Sequence, residues 1–147
     1  MGLDDDIPDG SSLTLDTNAL IYFVEEHDEF LAVIRPVFER VAAGQLQAHV
    51  SVVSFIEVLV GPTRDGQAAL AERYRELLLN TAGLHVADVT TEIAERAAQL
   101  RARYRLRTPD AIIAATTFES GSTHLLTNDS DFRRVEGLRA LVVSEYL

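Results

Sequence analysis

The sequence lacks cysteine and lysine altogether, and it has no apolar run long enough to cross a bilayer. The absence of cysteine excludes disulfides, thiol catalysis and cysteine–zinc sites. The most apolar stretch, residues 50–60, is about half the length of a membrane-spanning helix and contains Glu57. The basic n-region of a signal peptide is missing too, because three consecutive acids occupy residues 4–6. We therefore expect a soluble protein of the cytoplasm.

The absence of lysine leaves arginine as the only strong base, and acids outnumber it. The chain of 147 residues has 13 arginines against 23 acids, which gives a formal net charge of −10. This charge argues against a general polyanion binder, because phosphate backbones are held by basic surfaces. Divalent metal ions would weaken that objection locally if several of the acids form a cluster.

Four of the arginines lie within one short run: Arg101, Arg103, Arg105 and Arg107. Arginine forks bind phosphates through paired hydrogen bonds, so this run is a candidate nucleic-acid contact. The alternative is a solvated helix end, where cations stabilise the helix dipole. The sequence leaves both interpretations open.

Apolar segments of strand length alternate with helical patterns along most of the chain. Strands are predicted at residues 12–16, 47–51, 84–89, 123–127 and 138–144. This alternation predicts an α/β fold with a parallel sheet of four to five strands and helices on both faces. Residues 1–11 are acidic and rich in Pro, Gly and Ser, which predicts a mobile tail before a single domain at 12–147.

Two helix starts in this prediction rest on capping patterns. Asn18 is predicted to cap the first helix. Ser54 and Glu57 have the form of a capping box, which predicts that another helix starts there. That second helix is expected to stop at Gly61 and Pro62, since proline interrupts helices.

Four acids stand at candidate catalytic positions: Asp16, Glu57, Asp110 and Asp129. Two of them follow predicted strands, and two lie in the first turn of predicted helices. Strand ends and the helix starts that follow them face the same edge of a parallel sheet, so the four carboxylates are expected to converge. Oxygen-only ligands suit Mg²⁺ or Mn²⁺. Two such ions, about 3.5–4 Å apart, would activate water and stabilise a leaving oxygen.

Each of these acids also has a purely structural explanation. Acids are common in first helical turns, so Glu57 and Asp110 taken singly are better explained by capping and by the helix dipole. Asp16 is placed to cap the next helix, and Asp129 to initiate a turn. A convergence of all four is harder to explain in this way, because clustered like charges cost stability unless a cation joins them.

Four short motifs follow one another along nearly the whole chain. They are LDTN at residues 15–18, SFIEVLVG at 54–61, TPDAIIAA at 108–115 and LLTNDSDF at 125–132. In this order and spacing they resemble the PIN-domain family, and most closely its VapC-type toxin ribonucleases. The resemblance implies a three-layer α/β/α sandwich and a Mg²⁺- or Mn²⁺-dependent endoribonuclease. It also implies a homodimer, and a small antitoxin encoded beside the toxin that holds it inactive.

The resemblance also implies roles for individual residues. The family's acidic quartet falls on Asp16, Glu57, Asp110 and Asp129. Its supporting polar positions fall on Thr17 and Asn18, with Thr127 in the last motif. Asp131 is a second acid in that motif and is placed to share or replace the role of Asp129. The acidic segment before the first strand and the lack of lysine depart from the family pattern.

Two other functions stay open at this point. An aspartyl-phosphate enzyme or receiver also has an acid after its first strand, but those families use a lysine near the phosphate, and this chain has none. A PIN-like binding module without catalysis is the second alternative. The intact set of four acids argues against it, and a metal titration separates it from a nuclease.

Overall fold

A parallel sheet of five strands forms the centre of the structure, a computed structural model that describes residues 2–147. In chain order the strands are β1 (Ser12–Leu15), β2 (Gln47–Ser51), β3 (Leu84–Ala87), β4 (His124–Thr127) and β5 (Ala140–Val142). Their order across the sheet is β3-β2-β1-β4-β5, and every neighbouring pair is parallel. The predicted parallel α/β sheet is confirmed.

Helices cover both faces of this sheet. They are α1 (Thr17–Val24), α2 (Leu31–Ala42), α3 (Val52–Arg64), α4 (Ala68–Asn80), α5 (Thr91–Tyr104) and α6 (Thr108–Glu119). Short 3-10 segments occur at Leu3–Asp6, Ser130–Arg134 and Val143–Tyr146. The first four helices share one hydrophobic core, and α5 and α6 share another, which is the three-layer arrangement. Within residues 2–147, none of the helices combines the length and the hydrophobicity that a membrane crossing needs.

The alternation of side chains along the strands divides the core between the two faces. Leu13 and Leu15 of β1 belong to the cluster that α1 to α4 cover. In β4, Leu126 joins that same cluster, whereas its neighbour Leu125 packs against α5 and α6. Successive strand residues point to opposite faces, so two adjacent leucines serve two cores. Full burial of one such side chain stabilises the fold by about 1.5–3 kcal/mol.

The order of the strands reverses at β1. From β1 the chain runs outwards to β2 and β3, and it then returns through α5 and α6 to β4 on the other side of β1. In sheets of this kind a crevice opens at the carboxyl ends of the two strands that flank the reversal. Asp16 directly follows β1 and Asp129 follows β4, so the topology places both acids at this crevice.

The first helix begins earlier than its sequence pattern predicts. α1 is capped by Asp16, whose Oδ1 accepts a hydrogen bond from the Thr17 N–H at 2.7 Å, and not by Asn18. The Asp16 N–H still donates to the Leu126 carbonyl across the sheet at 2.9 Å. The hydrogen bonds between β1 and β4 therefore continue to Asp16, and α1 starts at the next residue, Thr17.

The start and the end of α3 were also predicted wrongly. The Ser51 hydroxyl caps α3 by accepting from the Val53 N–H at 3.1 Å, so the helix starts ahead of Ser54. Ser54 is therefore a buried residue inside the helix, and Glu57 lies in the second turn. The helix also runs through Pro62, which is buried, because packing of that face outweighs the hydrogen bond that proline removes.

The N-terminal segment (residues 2–11) is packed against the domain, so the predicted mobile tail is wrong for these residues; Met1 lies outside the described residues. Leu3 and Ile7 are only 1% and 2% exposed and belong to the core beneath α2. The Arg40 guanidinium binds the segment through the Asp4 and Ile7 carbonyls and through the carboxylates of Asp4 and Asp9, at 2.6–3.0 Å. The contacts of two apolar side chains and one arginine thus hold the segment against the domain, although its acidic, turn-rich composition predicts a mobile chain.

We predict that Arg40→Met releases the N-terminal segment. The substitution keeps the aliphatic stem but removes four hydrogen bonds from a largely buried guanidinium, and it should lower the free energy of unfolding by about 1–3 kcal/mol. Urea denaturation and the rate of proteolysis within residues 2–11 measure the two effects. Arg35→Met, at an exposed position of the same helix, is the control and should change stability by less than about 0.5 kcal/mol. Equal behaviour of the two variants would contradict this account.

Candidate active site

The predicted acids come from four different elements at the carboxyl edge of the sheet. Asp16 follows β1, and Asp129 begins the short 3-10 segment after β4. Glu57 lies in α3 and Asp110 in the first turn of α6. Asp110 and Glu57 are close enough to Asp16 for their negative charges to raise its pKa. The structure thus brings these three carboxylates into one neighbourhood.

Asp16 is the buried member of this group, with 6% of its surface exposed. Its Oδ2 accepts a hydrogen bond from the Thr127 hydroxyl at 2.7 Å, and its Oδ1 accepts from the Thr17 N–H. The Asn18 amide nitrogen lies 3.5 Å from Oδ2, at the outer limit of a hydrogen bond. Contacts from β4 and α1 therefore hold the carboxylate in one orientation.

The ionised form of Asp16 is disfavoured in spite of these contacts. Burial raises its pKa from 3.8 to about 6, and the hydrogen bonds from Thr127 and from the Thr17 N–H only partly oppose the rise. The value of about 6 includes smaller upward contributions from the negative charges of Asp110 and Glu57. A positive charge placed among these carboxylates would stabilise the ionised form of Asp16 and lower its pKa again.

Thr17 connects Asp16 to the neighbouring helix α3. Its hydroxyl lies 2.7 Å from Glu57 Oε1 and 2.8 Å from the Ser54 hydroxyl. A carboxylate only accepts hydrogen bonds, so the single Thr17 proton goes to Glu57 and the Ser54 hydroxyl is free to donate to Thr17. The buried Ser54, which the sequence suggested as a helix cap, thus helps to position Glu57.

Asn128 is a supporting residue that sequence reasoning missed. Its N–H donates to Asn18 Oδ1 at 3.2 Å, its side-chain amide donates to the Tyr22 hydroxyl at 3.1 Å, and its Oδ1 accepts from the Ser144 N–H at 2.9 Å. Asn128 thereby joins the end of β4 to α1 and to the C-terminal 3-10 segment. The sequence feature that could have pointed to Asn128 as a supporting residue is its position directly before Asp129.

Asp129 and Asp131 line a cleft of about 180 Å³ together with Asp110. The cleft, called the Arg–Asp cleft below, is lined by Arg105, Leu106, Arg107, Asp110, Asp129, Asp131, Phe132 and Arg134. The Asp129 N–H donates a hydrogen bond to the Thr127 hydroxyl at 3.0 Å. Because the same hydroxyl donates to Asp16, Thr127 links the buried Asp16 carboxylate to Asp129 in the cleft.

The arginine run divides between two environments. Arg105 and Arg107 line the Arg–Asp cleft. Arg101 instead donates to the Leu106 carbonyl at 2.9 Å, and Arg103 pairs with Glu136 at 2.8 Å. A third cleft arginine, Arg134, comes from the 3-10 segment after β4, and nothing in the local sequence connects it to the run.

Most of the chain matches one known domain family. The model of the PIN domain matches residues 13–138, which is most of the chain. The chain belongs to the PIN-domain family. No curated protein sequence is significantly similar to it.

Solved structures with the same fold include toxin–antitoxin complexes and a toxin. A chain of VapBC2 from Rickettsia felis, bound to a promoter DNA fragment, is 18% identical with a TM-score of 0.72; the match covers 89% of this PIN domain chain and 98% of that one. A toxin–antitoxin complex from Klebsiella pneumoniae is 28% identical with a TM-score of 0.66, over 88% and 96% of the two chains. VapC20 from Mycobacterium tuberculosis, a toxin that cleaves the sarcin–ricin loop, is 19% identical with a TM-score of 0.67, over 86% and 98%.

The acids of this PIN domain suit a hard divalent cation in donor type, although they do not form a closed cage. Among residues 2–147, no three His, Asp or Glu side chains are grouped closely enough to enclose an ion. Mg²⁺ needs no such cage, because it keeps several waters and binds through one or two carboxylates. A cationic group already lies at one of the acids, since Arg107 Nε is 3.2 Å from Asp110 Oδ2. In chemical type, these oxygen donors match Mg²⁺.

We predict that the stability of Asp16→Asn relative to wild type increases from pH 4 to pH 7 in the metal-free PIN domain. The pKa of Asp16 is about 6 in the folded state and 3.8 ordinarily, so the folded state binds this proton more tightly and loses stability as pH rises from about 4 to 7. Relative to wild type, Asp16→Asn should gain on the order of 1–3 kcal/mol across that window.

Urea denaturation in EDTA at pH 4 and pH 7 measures this gain. Asp16→Asn also alters the hydrogen bonds to Thr127 and Asn18. That effect on the free energy of unfolding is the same at both pH values, so it cancels when the two differences from wild type are compared. Asp65→Asn, at the exposed far end of α3, is the control and should show no such gain. A difference between wild type and Asp16→Asn that stays constant from pH 4 to pH 7 would refute the prediction.

Proposed function

We propose that this PIN domain is a Mg²⁺- or Mn²⁺-dependent endoribonuclease that hydrolyses RNA phosphodiester bonds. The observation that carries the proposal is the buried Asp16 carboxylate, held from β1 and β4 next to Glu57 and Asp110 at the crevice of the sheet. Membership of the PIN-domain family supports it. The similar fold of a toxin that cleaves the sarcin–ricin loop is consistent with RNA as the substrate class.

In this proposal the acids hold the cation, and the polar residues hold the acids. The metal-binding residues are Asp16, Glu57, Asp110 and Asp129, with Asp131 beside them. A bound divalent cation would activate water and stabilise the leaving oxygen. Thr127 keeps Asp16 in one orientation, and Thr17 does the same for Glu57. Such supporting hydrogen bonds typically matter 10–100-fold for metal affinity or activity, as a rough guide.

The same proposal assigns the RNA backbone to the arginines of the Arg–Asp cleft. Arg105 and Arg107 line this cleft beside Asp110 and Asp129, so a phosphate can lie next to the acids. Arg101 and Arg103 already bind groups of the protein itself, which makes them weaker candidates. Local rather than net charge thus permits an acidic protein to bind RNA.

We predict that cleavage depends on Asp16 and, to a smaller extent, on Thr127. Asp16→Asn should slow RNA cleavage by more than about 100-fold, and Thr127→Val, which removes one hydrogen bond to Asp16, by about 10–100-fold. The measurement is a time course on labelled single-stranded RNA with Mg²⁺, Mn²⁺ or EDTA. Asp65→Asn is the matched control and should cleave at the wild-type rate.

Two results would decide against this function. Cleavage by Asp16→Asn at the wild-type rate would remove Asp16 from the active site. Binding of Mn²⁺ and RNA by the wild type without any cleavage would instead indicate a PIN-like binding module.

We further propose that the enzyme is the toxin of a toxin–antitoxin pair. The structures of similar fold from Rickettsia felis and Klebsiella pneumoniae are toxin–antitoxin complexes, which supports a small antitoxin as partner. Induced expression should arrest growth, and co-expression of the small protein encoded beside it should relieve the arrest. Arrest by Asp16→Asn as strong as that by wild type would contradict the toxin role of the nuclease site.

A homodimer is the other proposed assembly, and α3 offers a surface for it. Ile56 and Val60 are 58% and 53% exposed, and they lie one helical turn apart beside the partly buried Phe55 and Leu59. Exposed apolar patches mark interfaces, and a helical stripe can pair with its own copy about a two-fold axis. We propose that a second copy of the chain covers this α3 face.

We predict that Val60→Glu disrupts the dimer. A carboxylate in the middle of the α3 face would be buried without a partner in the assembled state, so the variant should be monomeric at concentrations where wild type is dimeric. Sedimentation velocity measures the two masses. Leu79→Glu, at an exposed apolar residue of α4, is the control and should remain dimeric. A monomeric wild type would refute the homodimer.

A further inference from the structure

The turn between α5 and α6 is built so that two arginines face the Arg–Asp cleft. Leu106, in the middle of the turn, is buried in the core beneath α5 and α6. The Arg101 side chain donates to the Leu106 carbonyl at 2.9 Å, and Arg134 donates to the Tyr104 carbonyl at 3.0 Å. Arg105 adopts a left-handed conformation with φ of 57°. With the backbone held in this way, Arg105 and Arg107 on either side of Leu106 line the cleft.

Arg107 makes a single contact with the acids of the cleft. Its Nε lies 3.2 Å from Asp110 Oδ2. Among the described residues, the Arg107 side chain makes no other hydrogen bond. The Arg107 side chain is 79% exposed, whereas that of Asp110 is 19% exposed. The Asp110 carboxylate is thus the more buried member of the pair, and the Arg107 side chain lies on the solvent side of it.

This contact is weak enough to be exchanged. Exposed ion pairs contribute little to stability, and Arg107 is also the N-cap residue of α6, where the positive end of the helix dipole disfavours a cation. Asp110, in the first helical turn, is favoured by the same dipole and stays in place. A small divalent cation is a stronger counter-ion for a partly buried carboxylate than an exposed guanidinium.

We propose that Arg107 is the resident counter-ion of Asp110, which it neutralises until a divalent cation binds, and that the released guanidinium then binds an RNA phosphate. The inference rests on the proposed metal-dependent function and adds an exchange step to it. The two roles fit the chemistry of the side chain, because a free guanidinium fork matches a phosphate better than a single Nε contact matches a carboxylate. Cation binding and RNA binding would then strengthen each other through Arg107.

The first test measures Mn²⁺ binding to the metal-free, RNA-free protein by titration calorimetry. Arg107→Gln removes the competing cation, so it should bind Mn²⁺ about two- to fivefold more tightly than wild type. Arg105→Gln is the matched control: it removes the same charge from the same cleft, at a residue for which residues 2–147 show no ion pair. Its gain in Mn²⁺ affinity should be clearly smaller. Thermal melts of both variants verify that they are folded.

The second test measures the coupling between the two ligands. Fluorescence anisotropy of a labelled 2′-O-methyl oligonucleotide, checked on gels for integrity, gives its affinity with and without Mn²⁺. Mn²⁺ should tighten oligonucleotide binding to wild type, and by linkage the oligonucleotide should tighten Mn²⁺ binding by the same factor. In Arg107→Gln this coupling factor should fall, because the released guanidinium is missing.

The outcomes separate this inference from the proposed function. If wild type binds Mn²⁺ and cleaves RNA, but Arg107→Gln gains no more Mn²⁺ affinity than Arg105→Gln, the exchange is wrong and the nuclease stands. The same conclusion follows if the coupling factor of Arg107→Gln equals that of wild type. If wild type binds no Mn²⁺ at all, the proposed metal site and the exchange are both overturned.

Discussion

The site depends above all on the burial of one carboxylate, that of Asp16. The sheet ladder extends to its own N–H, which donates to the Leu126 carbonyl, so the side chain is placed directly at the crevice. A buried carboxylate is costly unless it is hydrogen-bonded. Thr127 and the Thr17 N–H supply those bonds, and they come from the two elements that meet there, β4 and α1. Holding one acid in place therefore also fixes how β1, β4 and α1 join.

Charge in this protein is balanced locally and not over the whole chain. The chain carries a net charge of −10, yet its arginines lie against particular acids: Arg40 against the N-terminal segment, Arg107 against Asp110, and Arg133 against Glu145. In the Arg–Asp cleft, three arginines face three aspartates. The proposed function requires a cation and a phosphate there, and each would find opposite charge within the same small volume. The objection that an acidic protein cannot bind RNA thus applies only to its average surface.

Local patterns predicted the elements well and their ends less well. The five strands and the PIN-domain motifs were recognised because apolar periodicity and short motifs are properties of neighbouring residues. The cap of α1 was misplaced because Asp16 serves the sheet ladder and the helix at once. Ser54 has the sequence of a cap but is a buried partner of Thr17. The N-terminal segment looked disordered by composition, while Leu3, Ile7 and the distant Arg40 decide its position.

The sequence by itself determined the alternation of strands and helices and the placing of an acid after β1 and another after β4, since periodicity and chain order are local. It also predicted oxygen donors at the candidate site, because the chain has no cysteine and the four candidate residues are all carboxylates. Only the tertiary structure decided which hydroxyl holds which acid, and that Arg105 and Arg107 face the cleft while Arg101 and Arg103 bind elsewhere. The reason is physical: these contacts join residues up to 111 positions apart, as Asp16 and Thr127 do, and no local pattern encodes such a distance.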